Sequence, residues 1–299
     1  MKPLSCLYAM LAALSLHASA DKLPVVASFS ILGDIVQQVG GDKVSVTTLV
    51  GPDGDAHVYQ PSPQDGKTLV AAKLLVVNGL GFEGWLDRLV KASRYQGIRV
   101  AAAEKIVTQK MGSDQHDHGH DKGRIDPHAW QDPARVRRYV SNITEGLASA
   151  DPANAGYYRK RADSYTEQLF ELEKWAAEQV ASVTPNKRRV ITSHDAFGYL
   201  GRRFGIQFLS PQGVNTEAEA SARGVGMLIK QARKEGIKAI FVENVSNPKL
   251  LEQIGREAGA SLGGRLYSDA LSRADGPAPN YVAMMKYNIS TLVAGMKQN

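Results

Sequence analysis

A single helical pattern, running from Asp151 to Thr184, constrains this chain more than any other stretch. Asp151-Pro152 has the form of an N-cap followed by a first helical residue. Tyr158, Ala162, Tyr165, Leu169, Leu172, Ala176, Val180 and Val183 then recur at spacings of three and four, which is one face of one helix. Pro185 lies just past its end. At 1.5 Å per residue such a helix is about 45 Å long, more than one small domain needs. It reads as a rigid spine with a folded lobe on either side. The expected organisation is a first lobe over 21–150, a linker helix over 151–184 and a second lobe over 185–299.

Both flanks alternate short apolar runs with helical segments. In the first, Val25–Ser28, Val44–Val50, Leu74–Asn78 and Ile98–Ala102 read as strands, with helices over Ile31–Val39, Ser62–Ala72 and Glu83–Ala92. The run Leu74–Asn78 is continuously apolar, as in a strand buried on both faces. Residues 112–123 break the alternation with a polar, His-rich loop. Asp132-Pro133 then opens a helix to about Ala148. In the second flank, strands are expected at Arg189–Ser193, Ile206–Leu209, Ile237–Val242 and Arg265–Ser268. Helices are expected at Phe197–Phe204, from a Thr216/Glu219 capping box to Glu235, from Asn247-Pro248 to Ala258, and at Tyr281–Met296. Strand–helix alternation implies parallel pairing. The fold class is therefore α/β: two lobes, each a mostly parallel sheet flanked by helices, joined by one long backbone helix.

Composition narrows the chemistry. The 299 residues are 43% hydrophobic and 22% charged, an ordinary globular balance. The net charge of +6 is scattered, with no basic stripe interleaved with aromatics, so no nucleic-acid partner is expected. Residues 1–20 read as a cleavable secretory signal. Lys2 supplies the positive start, Leu7–Leu16 the short apolar core, and Ala18-Ser19-Ala20 the small-residue cleavage site. The one cysteine, Cys6, lies ahead of that core, badly placed for lipidation. No later run is long and apolar enough to span a bilayer. A mature chain without thiols must build any metal site from histidine and carboxylate.

There are seven histidines. His17 leaves with the signal, and His116, His118 and His120 sit in the polar loop with Asp117. The other three, His57, His128 and His194, each follow an expected strand, as does Asp269. His128 stands at a stiff corner, because Pro127 holds Asp126 extended and Asp132-Pro133 starts a helix just beyond. Ligands of open α/β sheets bind beyond the carboxyl ends of strands. Three imidazoles and a carboxylate converging there suit Zn²⁺. Taken singly, a strand-end histidine is more often a hydrogen-bonded structural residue, and Asp269 or Asp55 equally a turn or cap residue. No local signature such as H-E-x-x-H fixes the site.

Four segments together carry a resemblance: Asp55-Ala56-His57-Val58-Tyr59 with Pro61-Ser62-Pro63; Asp126-Pro127-His128-Ala129-Trp130; Thr192-Ser193-His194-Asp195-Ala196-Phe197-Gly198-Tyr199; and Ser268-Asp269-Ala270-Leu271. Over Leu23–Lys297 the chain resembles the extracytoplasmic zinc/manganese solute-binding proteins of ABC importers. The resemblance implies two α/β lobes, one backbone helix, and a metal held between the lobes by His57, His128, His194 and Asp269. It implies a binding protein, not an enzyme, located in the periplasm and partnered by a membrane permease. A monomer is expected, with a periplasmic metal chaperone as a further partner. Histidine at the third ligand position goes with zinc receptors in that family and glutamate with manganese receptors, so Zn(II) is expected here and Mn(II) kept as the alternative. Asp55 is kept as an alternative acidic ligand. The resemblance also implies auxiliary, weaker metal capture by His116, His118, His120 and Asp117. A secreted zinc hydrolase with Asp195 or Glu243 as general base, a surface adhesin and a metal-chelate receptor are the rival readings.

Overall fold

The structure, a computed structural model, describes residues 21–110, 124–214, 216–217 and 219–299. The expected signal and the His116–His120 loop lie outside these residues. The first lobe runs β1 (Leu23–Phe29), α1 (Ser30–Gly40), β2 (Val44–Val50), α2 (Pro63–Ala71), β3 (Leu74–Val77), α3 (Leu86–Ser93), β4 (Ile98–Ala101) and α4 (Pro133–Ala150). Its sheet has the order β2-β1-β3-β4, parallel throughout. After α5 (Ala155–Ala181) come β5 (Arg189–Ile191), α6 (Gly198–Phe204), β6 (Gln207–Leu209), α7 (Ala222–Glu235), β7 (Ile240–Glu243), α8 (Lys249–Ala258), β8 (Leu262–Leu266) and α9 (Tyr281–Met296). The second sheet, β6-β5-β7-β8, is also parallel. The lobes thus share one wiring. In each sheet the order reverses around the first strand, and connections leaving that switch point diverge to leave a crevice at the carboxyl ends.

Local signals set most boundaries. Ser62 and Asp65 form a reciprocal capping box at α2, with Pro63 in the first turn. The Asp132 side chain accepts the Ala134 N–H at the start of α4, and Asn280 caps α9. All four residues of β3 are buried. The seven stripe residues of α5, Tyr158 to Val180, are buried as their spacing requires. That helix is 27 residues, about 40 Å long. It packs on α1 and α4 of the first lobe and on α9 of the second. One apolar core therefore runs through both lobes, while a smaller cluster, including Ile191, Leu228, Ile240 and Ile254, sits where α7 and α8 pack on the second sheet. Wide separation of the lobes would expose that shared core.

Several expectations fail locally. The Asp151 cap does not start the spine, which begins at Ala155 after a 3-10 turn over Pro152–Asn154, and the Asp151 carboxylate instead accepts from Asn154 Nδ2 and the Tyr158 hydroxyl. Three others fail for tertiary reasons. The Thr216/Glu219 capping box does not start α7. Ser221 is the cap, accepting the Gly224 N–H, while Thr216 donates its hydroxyl to Asp55 Oδ2 at 2.7 Å. α3 begins at Leu86 and not Glu83, because the Glu83 carboxylate turns inward to accept from Ser28 Oγ and from the Asn78 and Gly79 N–H groups. β8 stops at Leu266, since the Tyr267 N–H and C=O both bond to the Asn288 side chain on α9 and leave the ladder.

An ionic clamp joins the lobes to the spine. Asp132 is fully buried and pairs with Arg135 and with Arg203 of α6, the latter through Nε at 2.9 Å and Nη2 at 3.2 Å. Glu173 on α5 pairs with Arg203 at 3.2 Å and Arg137 at 2.6 Å.

Candidate metal centre

The strand-end expectation holds only loosely: His194 and Asp269 lie shortly past β5 and β8 and His57 past a turn after β2, but His128 follows no strand of the sheet, since β4 ends at Ala101 and a long connection intervenes. β2 ends at Val50, and the turn Gly51–Ala56 intervenes before His57. Trp85 Nε1 donates to the Ala56 carbonyl at 2.8 Å and fixes that turn. His128 precedes a 3-10 turn over Ala129–Gln131. Its corner is held across the lobes, because Trp130 Nε1 and Gln131 Nε2 both donate to the Ser268 carbonyl, at 2.8 and 2.7 Å. The residue after that carbonyl is Asp269. His194 lies three residues past Ile191 at the end of β5, in a bend packed beside β7.

The four side chains meet. Each offers one donor atom, and the four atoms lie within 4.8 Å of one another. His57 Nε2 is 3.2 Å from His128 Nε2 and 3.2 Å from Asp269 Oδ2. His194 Nε2 is 3.1 Å from Asp269 Oδ2, and His128 Nε2 is 3.7 Å from Oδ1. A tetrahedral zinc with bonds of about 2.0–2.1 Å needs neighbouring donors about 3.3 Å apart. The His128, His194 and Asp269 side chains are wholly buried, and His57 is 4% exposed. Both Asp269 oxygens and both His194 nitrogens lack an aligned hydrogen-bond partner. The Asp269 oxygens and His194 Nε2 lie among the four grouped donor atoms, where a divalent cation would satisfy them, while His194 Nδ1 faces Glu243.

Electrostatics agree with that arrangement. Burial opposes the charge on Asp269, but His194 and His128 beside it hold its carboxyl well below the usual range. Burial also opposes charge on His194, yet the Glu243 and Asp269 carboxylates raise it well above the ordinary histidine value. His57 is shifted the other way, because burial outweighs the pull of Asp269.

A family model described as zinc-uptake complex component A, periplasmic (ZnuA), matches residues 25–295. The chain belongs to the ZnuA family. The manganese-binding lipoprotein MntA of Halalkalibacterium halodurans is 31% identical over 279 residues, 93% of this chain and 90% of the relative. The iron-binding protein YfeA of Yersinia pestis is 30% identical over 280 residues, 94% of this chain and 88% of the relative. The solved periplasmic zinc binding protein TroA from Treponema pallidum has a TM-score of 0.85 at 29% identity, covering 92% of this chain and 99% of that one. These ZnuA-type proteins are metal-binding components of ABC importers and not enzymes, which sets the hydrolase reading aside.

Within this ZnuA-family site, Asp55 is placed as a turn residue. Its Oδ1 accepts the His57 N–H at 2.9 Å and its Oδ2 the Thr216 hydroxyl. Asp269 is the carboxylate among the imidazoles. His116, His118, His120 and Asp117 lie outside the described residues. Two buried acids stand behind the ligands: Asp126, which the sequence places only in the approach to His128, and Glu243, which it offers only as a hydrolase base. Asp126 Oδ1 accepts the His128 N–H and faces its Nδ1, both at 2.9 Å, while Oδ2 accepts from Gln109. Glu243 Oε1 accepts the His194 N–H at 2.9 Å, and Oε2 lies 2.5 Å from Nδ1. That last contact is an ion-pair contact without hydrogen-bond geometry. Asp126 was visible in its motif two residues before His128. The signal for Glu243 is an acid ending an otherwise apolar buried strand.

Proposed function

We propose that this chain is a zinc receptor, which captures Zn(II) outside the cytoplasm with His57, His128, His194 and Asp269 and hands it to the membrane permease of an ABC importer. The observation that carries the proposal is the convergence of three Nε2 atoms and one carboxylate in a buried pocket. Imidazole favours zinc over manganese, which is better served by carboxylate, carbonyl and water. Four protein donors close a tetrahedral site and leave no position for an activated water, so the ion is cargo. All four come from one chain, so a monomer suffices. A secretory signal over residues 1–20 supports export to the periplasm. The relatives named for manganese and iron supply the second reading, a manganese or mixed receptor on the same residues.

Calorimetric titration with Zn²⁺ and Mn²⁺ tests both. The wild type is expected to bind Zn²⁺ more tightly. His57→Ala, His128→Ala and His194→Ala are each expected to cost more than the roughly 10–100-fold typical of changes outside the ligand shell. Tight binding that survives any two of these changes refutes the ligand set. An octahedral or water-bearing ion in a crystal of protein purified without added metal refutes the zinc assignment.

A further inference from the structure

We propose that Glu243 is a positioning residue that decides which nitrogen of His194 faces the metal, and that it thereby biases the site toward a nitrogen-preferring ion. This rests on the zinc-receptor reading and adds a residue to it. Glu243 is the last residue of β7 and is fully buried. β5 and β7 are paired at Ile191 and Ile240, so the chain enters the Ser193-His194 bend and the end of β7 side by side. The Glu243 N–H bonds to Ser193 Oγ at 3.2 Å, and its carboxylate reaches His194 at two points, the backbone N–H through Oε1 and Nδ1 through Oε2.

A carboxylate only accepts hydrogen bonds, and a neutral imidazole has one N–H. When His194 gives up a proton to bind the ion, Glu243 against Nδ1 keeps the remaining proton there and leaves the lone pair on Nε2. That is the nitrogen 3.1 Å from Asp269. The negative charge behind the ring also makes Nε2 a stronger donor. Asp126 stands in the same relation to His128, but two residues away and with Gln109 sharing its charge. Glu243 comes from another strand, with Oε1 bonded to the His194 N–H and Oε2 in ion-pair contact with Nδ1. It faces the side of the ring away from Asp269, where no substrate of a hydrolase would lie.

Glu243→Gln is nearly isosteric and separates charge and tautomer from packing. An amide has one acceptor and one donor group. If its oxygen stays on the His194 N–H, its NH₂ donates to Nδ1 and drives the ring proton onto Nε2, where the metal must bind. Turned over, the NH₂ meets the backbone N–H, donor against donor. Zn²⁺ affinity is expected to fall on the order of 10–100-fold, and Mn²⁺ affinity less, because manganese depends less on imidazole. A merely structural role would weaken both metals equally. Long-range nitrogen–proton NMR of the zinc-loaded wild type is expected to show His194 protonated at Nδ1 and metallated at Nε2. Metallation at Nδ1, or wild-type Zn²⁺ affinity in Glu243→Gln, overturns the proposal, and the NMR decides it should the variant fail to fold. Absence of Zn²⁺ binding by the wild type would instead refute the receptor reading, and with it the role given to Glu243.

Discussion

Loading the site at pH 7.5 should release about one proton per Zn²⁺ ion, because a ligand must be deprotonated to coordinate. The proton comes from His194. Burial disfavours its charge, but Glu243 at 2.5 Å and Asp269 at 3.1 Å more than offset that and hold it well above 6.5. That direction favours a ring carrying both protons in the metal-free protein, in which case the ion displaces the one on Nε2. His57 is lowered by burial against the weaker pull of Asp269, so it is already neutral. Asp269 is held ionised by His194 and His128 despite burial and has no proton to lose. While His194 is protonated, each pH unit of acidification should weaken binding about tenfold, about 1.4 kcal/mol. Titration in buffers of equal pH and different ionisation heat counts the protons directly. An apparent enthalpy independent of the buffer would refute the argument. Linkage fixes the metal-free stability as well. The raised His194 stabilises fully below 6.5 and loses that contribution as pH rises through its folded value. The lowered Asp269 contributes above 3.8 and loses it as pH falls through its folded value. The pair thus supports the metal-free fold between those limits, and the extra stability conferred by metal should grow as pH rises.

Three further outcomes follow from single contacts. Trp85→Phe removes the donor to the Ala56 carbonyl beside His57. It should cost about 1 kcal/mol of stability and speed metal loss to a chelator in stopped flow, and an unchanged off-rate would show that the turn does not control His57. Arg203→Met leaves buried Asp132 with only Arg135 and the Ala134 N–H. Urea unfolding should show a loss of about 2–3 kcal/mol, and a loss under about 0.5 kcal/mol would mark the clamp as an ordinary surface pair. Asn299 accepts from the Lys238 and Ala239 N–H groups and donates to the Lys187 and Arg189 carbonyls. Asn299→Ala should lower stability by about 1–3 kcal/mol, and a wild-type urea midpoint would refute its role as a stitch between β5 and the approach to β7.

The spine was legible because a helical stripe is local. Tyr158 to Val180 announce one buried face by spacing alone, and the structure buries all seven. β2 and α9 end where alternation and period end, at Val44–Val50 and Tyr281–Met296. The Ser62 and Asp132 caps are equally local. The Thr216 cap reading failed for a long-range reason: a contact with Asp55, 161 residues away, holds Thr216, and Ser221 caps α7 instead. The site divides in the same way. Residue chemistry picks out His57, His128, His194 and Asp269 as candidates, the strand-end rule fits His194 and Asp269 best and His128 not at all, and the Asp126-Pro127-His128 corner is written in adjacent residues. That their donor atoms lie within 4.8 Å is decided by the packing of the two lobes. The bonds from Trp130 and Gln131 to Ser268 set the position of His128 against Asp269. The same packing separates Asp269 from Asp55, and it alone puts Glu243 behind His194, 49 residues apart in the chain. Sequence determined the elements and the donor types, because periodicity, capping and side-chain chemistry act over a few residues. Only the tertiary structure decided which donors meet and which acids stand behind them, because those choices are made by contacts between segments far apart in the chain.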